Sequence, residues 1–183
     1  MSLEETQPDS RTVLVAYASE HGATREIAEH IARTLTDAGL RVDVHDAGDV
    51  RDVGAYAAVV IGSAVYMGRW RGSARRLVKR HERELGEREV WLFSSGPVGE
   101  APAADDARAY KYTHPRFALE EAQRIGAHEH AVFGGRVPDA GFIARSMREN
   151  TPPELRDLRD WDAIGSWAEG IAATLRAGHA APR

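Results

Sequence analysis

Residues 12–18, Thr-Val-Leu-Val-Ala-Tyr-Ala, form an apolar run that passes directly into Ser19-Glu20-His21-Gly22-Ala23-Thr24 and then into a helix-like segment from Arg25. A short, continuous apolar run bounded by a polar turn reads as a strand buried on both faces, the type found in parallel sheets. The turn then lies at the carboxyl end of the strand and the amino end of the helix. There the first helical N–H groups have no intrahelical partner, the macrodipole adds partial positive charge, and Ser and Thr hydroxyls add donors. Such a turn suits one phosphate monoester. It equally suits ordinary helix capping, and the segment alone leaves both readings open. With one glycine and no lysine it is neither a Walker loop nor a dinucleotide-binding loop.

Periodicity organises the rest of the chain. Ile27, Ala28, Ile31, Ala32 and Leu35 recur at helical spacing before Gly39, which predicts a helix over 23–38. Residues 40–45 alternate as a half-buried or edge strand does, whereas 56–62 and 89–95 are apolar enough for buried strands. A helix is expected over 73–85 with Leu77, Val78, His81 and Leu85 inward, another over 117–125, and a fifth strand over 129–135. Residues 97–115 read as irregular, 141–149 as a short helix, and 161–175 as an amphipathic closing helix with Ile164, Trp167, Ala168 and Ile171 inward. Strands alternating with helices make an α/β domain with a five-stranded parallel sheet, for which 2-1-3-4-5 is the natural order. In that winding, ligands sit outside the strand carboxyl ends at the switch point between strands 1 and 3. The glycine-bearing loops at 62–68 and 94–99 fall at the same ends. A phosphate turn beside two such loops suits a flat ring system with a phosphate tail.

Composition narrows the function classes. The chain has 183 residues, 43% hydrophobic and 28% charged, which suits one domain over 11–177 flanked by a disordered tail at 1–10 and a short tail at 178–183. It has no cysteine, so disulfides, thiolate metal sites and cysteine nucleophiles are excluded and a cytoplasmic location is the default. The mild formal charge of −4 argues neither for nucleic acid nor for a strongly acidic docking surface, and no nucleic-acid partner is expected. The mostly apolar stretch at 55–67 is too short for a helical membrane span, so membrane contact is at most peripheral, at the inner face. The basic cluster Arg69, Arg71, Arg75, Arg76, Lys79 and Arg80 reads as a solvated helix face in preference to a binding patch.

With these loops placed, the chain resembles a flavodoxin-fold FMN protein, a three-layer sandwich, from Thr12 to about Arg176. The turn is similar to the short flavodoxin phosphate loop, with His21 in a hydroxyl position. Gly22-Ala23-Thr24-Arg25-Glu26-Ile27-Ala28, Val60-Ile61-Gly62-Ser63-Ala64-Val65-Tyr66-Met67-Gly68, the Leu77-Val78-Lys79-Arg80-His81 helix and Asp160-Trp161 look more narrowly like the menaquinone-dependent protoporphyrinogen IX dehydrogenases. That resemblance implies noncovalent FMN. Its phosphate would lie at Ser19, His21, Gly22, Ala23 and Thr24. Its isoalloxazine would lie between Ser63, Ala64, Val65, Tyr66, Met67 and Gly68 on one side and Ser94, Ser95, Gly96 and Gly99 on the other. His21 either donates a ring N–H to the phosphate or points to solvent, and Glu20 is expected to turn outward.

Tyr66 and Trp70 are candidates to cover the flavin, although Trp70 equally suits packing of the third helix on the sheet. Trp91, Trp161 and Trp167 read as core. Gly62 or Gly68 would permit a peptide flip that offers a carbonyl to flavin N5. His128 and His130 alternate across a strand start, so no shared metal is expected. Asp105 and Asp106 read as solvated, and no Ser-His-Asp arrangement stands out.

The resemblance implies an oxidoreductase that takes hydrogen from a tetrapyrrole and passes it to a quinone or a redox partner protein. The alternatives are a flavodoxin-type electron carrier and a flavin-free flavodoxin-like interaction module. A response-regulator receiver is excluded, because Tyr17-Ala18-Ser19 and Gly62-Ser63 stand where paired acids and a phosphorylatable aspartate are required.

Overall fold

Burial on two faces separates the central strands from the edges. In the computed structural model, which describes residues 9–96, 115–139 and 141–180, Val13 to Ala16, Ala58 to Ala64 and Val90 to Ser95 are buried throughout. They belong to β1 (Asp9–Ala18), β3 (Tyr56–Tyr66) and β5 (Glu89–Ser95), the middle of a parallel sheet ordered β2-β1-β3-β5-β6. β2 (Arg41–Asp46) alternates between exposed and half-buried residues as the edge beside β1, and β6 (Glu129–Phe133) is the opposite edge. This is the expected strand order. The tails at 1–8 and 181–183 lie outside the described residues, and the ordered elements reach past the expected domain limits, to Asp9 and Ala180.

Because side chains alternate along a strand, each central strand feeds two cores. Val13, Val15, Val60 and Phe93 pack under α1 (Ala23–Asp37) and the closing helix α6 (Trp161–Ala180), with Ile27, Ile31, Leu35, Ile164 and Ile171. Leu14, Ala16, Val59, Ile61 and Leu92 pack on the other face. There they meet α2 (Gly72–Arg80), α3 (Glu82–Leu85) and α4 (Arg116–Arg124) through Leu77, Val78, Leu85 and Ala118. The result is a three-layer α/β sandwich. Each fully buried Leu, Ile or Phe contributes about 1.5–3 kcal/mol, so both layers are needed to offset chain entropy. α1 ends as expected at Gly39, φ 88°, where Leu40 N–H reaches Leu35 O at 3.1 Å in a Schellman closure.

Three local expectations are corrected. The helix expected over 73–85 is two helices bent at His81, whose φ of −112° is not helical; its imidazole is buried, with Nδ1 3.3 Å from Glu84 Oε2. Strand 3 does not stop at Gly62. It runs on to Tyr66 and folds back as β4 (Arg69–Trp70), pairing Val65 with Trp70 and Tyr66 with Arg69 around Met67 and Gly68. Both tip residues have positive φ, 51° and 71°, the geometry of a two-residue hairpin that follows strand twist. Lastly, Trp161 is not core. It is 36% exposed at the start of α6, with its ring 5.2 Å from that of His30 and the Arg159 guanidinium 4.7 Å above it. Trp91 is buried, and Trp167 is half-buried against the same core while its indole N–H donates to Glu129.

Gly62 is fixed by packing. It pairs in register with Tyr17 and Phe93, and a Cβ there would stand 1.9 Å from Phe93 Cζ. A residue so enclosed is no place for the expected peptide flip. Gly62→Ala is expected to cost about 3 kcal/mol, the upper end of overpacking, read as a lower urea midpoint; a change below about 0.5 kcal/mol would show that the Phe93 ring yields freely.

Candidate functional site

The carboxyl ends of β1, β3, β5 and β6 surround a cavity of about 520 Å³. Ser19, Glu20, His21, Ala23 and Thr24 form one wall, at the amino end of α1. Ala64, Val65 and Tyr66 at the end of β3 lie beside Ser95 and Gly96 at the end of β5. Gly135, Arg136, Pro138, Gly141, Ala144 and Met147 complete it, from the stretch after β6 and from α5 (Phe142–Asn150).

The turn is shaped by Gly22, whose φ of 86° is left-handed. Ser19 Oγ accepts the Gly22 N–H at 3.1 Å, which leaves its own hydrogen available to a ligand. The first helical bond is from Glu26 N–H to Gly22 O, 2.9 Å, so the amides before it point out of the helix end. Thr24 lines the cavity yet is only 1% exposed. A Gly22 Cβ would stand 3.9 Å from Glu26 Oε1, an ordinary contact, so the positive φ and not crowding favours glycine there. The cavity volume falls within the range of about 300–1,000 Å³ usual for small-molecule sites. Together, a cradle of amide and hydroxyl donors and a largely apolar slot fit a phosphate-bearing planar ring.

Of the residues expected here, Ser19, His21, Ala23, Thr24, Ala64, Val65, Tyr66, Ser95 and Gly96 come together on the cavity. Gly22 shapes it without lining it. Ser63 and Ser94 turn inward. Ser63 Oγ donates to Ala64 O and accepts the Arg71 N–H, both at 2.9 Å. Ser94 Oγ accepts the Trp70 indole N–H at 2.8 Å and meets His130 Nε2 at 2.8 Å. Trp70 is thus buried packing, 3% exposed, and Tyr66 is the aromatic at the cavity. Met67 and Gly68 form the hairpin tip, where Met67 is 85% exposed. Gly99, Asp105 and Asp106 lie outside the described residues. His128 and His130 go to different partners, Glu89 and Ser94.

Glu20 does not turn away. It lines the cavity and pairs with Arg71, whose guanidinium also stands 5.6 Å from the Tyr66 ring centre. His21 is exposed at the same rim, edge-on to Tyr66 at 6.5 Å. Arg136, Pro138, Ala144 and Met147 had not been expected. The one sequence signal for them is Gly134-Gly135-Arg136 at the end of the last strand, on the side where every other polar loop falls.

The geometry defines a doubly wound α/β protein of the flavodoxin fold, with a cavity at the topological switch point, where ligands of such folds sit. The chain belongs to the flavodoxin domain family, whose match spans residues 14–149. It is 28% identical over 173 residues to the protoporphyrinogen IX dehydrogenase [quinone] of Escherichia coli K12, covering 87% of this chain and 93% of that one. Among solved structures it is similar to oxidised flavodoxin 2 of Bacillus cereus, with 18% identity, a TM-score of 0.59, and coverage of 89% of this chain and 99% of that one. It is also similar to the rubredoxin oxygen:oxidoreductase of Desulfovibrio gigas, with 17% identity and a TM-score of 0.64 over 97% of this chain; it spans only 39% of that protein. Among the described residues no helix is long and apolar enough to cross a membrane.

Burial, and then the Glu20 charge, raise the pKa of the Tyr66 phenol above 10, against a smaller lowering by Arg71. The folded state therefore favours the neutral phenol, and this contribution to stability is whole below pH 10 and lost as pH rises through the raised value. In an absorbance difference titration against Tyr66→Phe, the midpoint is expected above 10, falling in Glu20→Gln and rising in Arg71→Ala. A midpoint at 10 in all three would show that the rim does not act on the phenol.

Proposed function

We propose that the chain binds FMN in this cavity and acts as an oxidoreductase of the protoporphyrinogen IX dehydrogenase type, moving hydrogen from a tetrapyrrole to a quinone. The observation that carries the reading is the joining, in one cavity, of a phosphate-type turn at the amino end of α1 and a largely apolar lining from the ends of β3 and β5 and the segment after β6. The near full-length likeness to the E. coli dehydrogenase supports the choice of reaction.

Bound FMN supplies reversible one- and two-electron transfer. The chain's part is to hold and orient it. The Ser19 and Thr24 hydroxyls and the amides at the start of α1 take the phosphate. Ala64, Val65, Ser95 and Gly96, with Pro138, Ala144 and Met147, would supply apolar lining to the ring and exclude water from it. The Tyr66 ring, electron-rich on its face, disfavours negative charge on a stacked neighbour and lowers the potential of the site. Arg69, exposed at the hairpin next to Tyr66, and Arg75, Arg76 and Arg80, exposed on α2, complement the propionates of a tetrapyrrole. The same cations suit peripheral contact with the inner membrane face, where quinone is found.

The test is the visible spectrum of the purified protein before and after addition of FMN, with identification of any flavin released on denaturation. Stoichiometric FMN is expected, together with protoporphyrinogen oxidation when a menaquinone analogue is added. Flavin without that activity would point to an electron carrier, and no flavin at high added FMN to an interaction module. Ser19→Ala with Thr24→Ala removes two donors to a charged group, each worth about 1.5–3 kcal/mol, and is expected to weaken FMN binding by more than about a hundredfold. Unchanged affinity would place the phosphate elsewhere.

A further inference from the structure

We propose that Arg136 is the counter-charge for the ligand's phosphate, a residue that discriminates phosphorylated from unphosphorylated flavin; the inference rests on the FMN reading above. Arg136 leaves the carboxyl end of β6 and lines the same cavity as Ser19 and Thr24. Its backbone is held in place by a bridge to Asp157, and the next residue, Val137, donates its N–H to Arg156 O at 2.7 Å. Its Nη2 lies 3.0 Å from Glu26 Oε1, and that oxygen is 3.9 Å from the position of a Gly22 Cβ. One carboxylate therefore stands between this guanidinium and the phosphate turn.

That carboxylate has a second cationic partner besides Arg136. Glu26 Oε2 is held at 2.6 Å by Arg159, whose side chain is 4% exposed and whose fork also grips Asp157 at 2.8 and 2.6 Å. Arg159 therefore still holds one Glu26 oxygen when Arg136 leaves the other. The other partner of Arg136 is Asp139, 3.4 Å away, 64% exposed and shared with Arg148 at 2.9 Å. Arg136 thus gives up little when it swings from Glu26 to a dianion seated on the turn. The amides and hydroxyls there supply hydrogen bonds but no full charge, and among the described residues lining the cavity Arg136 is the one cationic side chain.

Binding of FMN and of riboflavin, which has the same ring and no phosphate, is measured by quenching of flavin fluorescence. The proteins compared are the wild type, Arg136→Ala, Arg136→Lys and Glu26→Gln. Arg136→Ala is expected to weaken FMN about tenfold or more while riboflavin stays within twofold, with Arg136→Lys intermediate. Glu26→Gln, which frees the guanidinium, is expected to strengthen FMN alone. Added salt is expected to weaken FMN binding less in Arg136→Ala than in the wild type. Equal loss of both flavins would make Arg136 a structural strut, and an unchanged FMN to riboflavin ratio would leave it without a ligand role; either result overturns the inference while the FMN reading stands. If Arg136→Ala fails to fold, an unchanged ratio in Glu26→Gln overturns it in the same way. A wild type that binds no flavin removes the FMN reading, and this inference with it.

Discussion

A strand covered by helices on both faces can place polar groups cheaply only at its ends, and three such strands run side by side in this chain. Parallel pairing then gathers every carboxyl end on one rim. The cavity, the phosphate-type turn and the flanking loops all follow from that arrangement. Ser63 and Ser94 are the exceptions, and each is satisfied by partners, Ser63 by Arg71 and Ala64 backbone, Ser94 by Trp70 and His130. The Ser63 bonds close the β3–β4 hairpin on itself, and the Trp70–Ser94 bond joins it to β5. A buried hydroxyl left without them would cost about 1–3 kcal/mol, so β5 and hairpin are set together.

How far this was legible in the sequence depends on the range of the signal. Buried strands declare themselves through unbroken apolar runs, and α1 through its period and Gly39, so layers and strand order could be read directly. The turn at Ser19 to Thr24 was legible for the same reason, because its chemistry is local. The extension of β3 to Tyr66 was hidden by Ser63, a polar residue that looks like a loop until its partners from Arg71 and Ala64 are known. Trp161 matched the helical period yet lies at the first turn of α6, where no layer covers it. Met147 and Arg136 reach the cavity only because the stretch after β6 pairs back with 156–158, a contact that leaves no local pattern.

The two carboxylates nearest the turn show the same limit. Glu20 and Glu26 beside a phosphate site look repulsive in sequence, and both are countered by arginines far along the chain, Arg71, Arg136 and Arg159. Where such pairs are open to solvent they add at most about 1 kcal/mol each. Their value is positional. Arg159, almost fully buried and held by Asp157 as well as Glu26, fixes where the segment after β6 meets α1.

The cavity is also assembled from chain positions as far apart as Ser19 and Met147. During synthesis the cradle emerges early and the roof very late, after all five parallel strands have left the ribosome. A nascent chain can hold the turn in near-final shape while having no enclosed slot beside it. Any occupant is therefore captured by an almost finished protein, and its binding energy stabilises the whole fold at once rather than guiding its first steps.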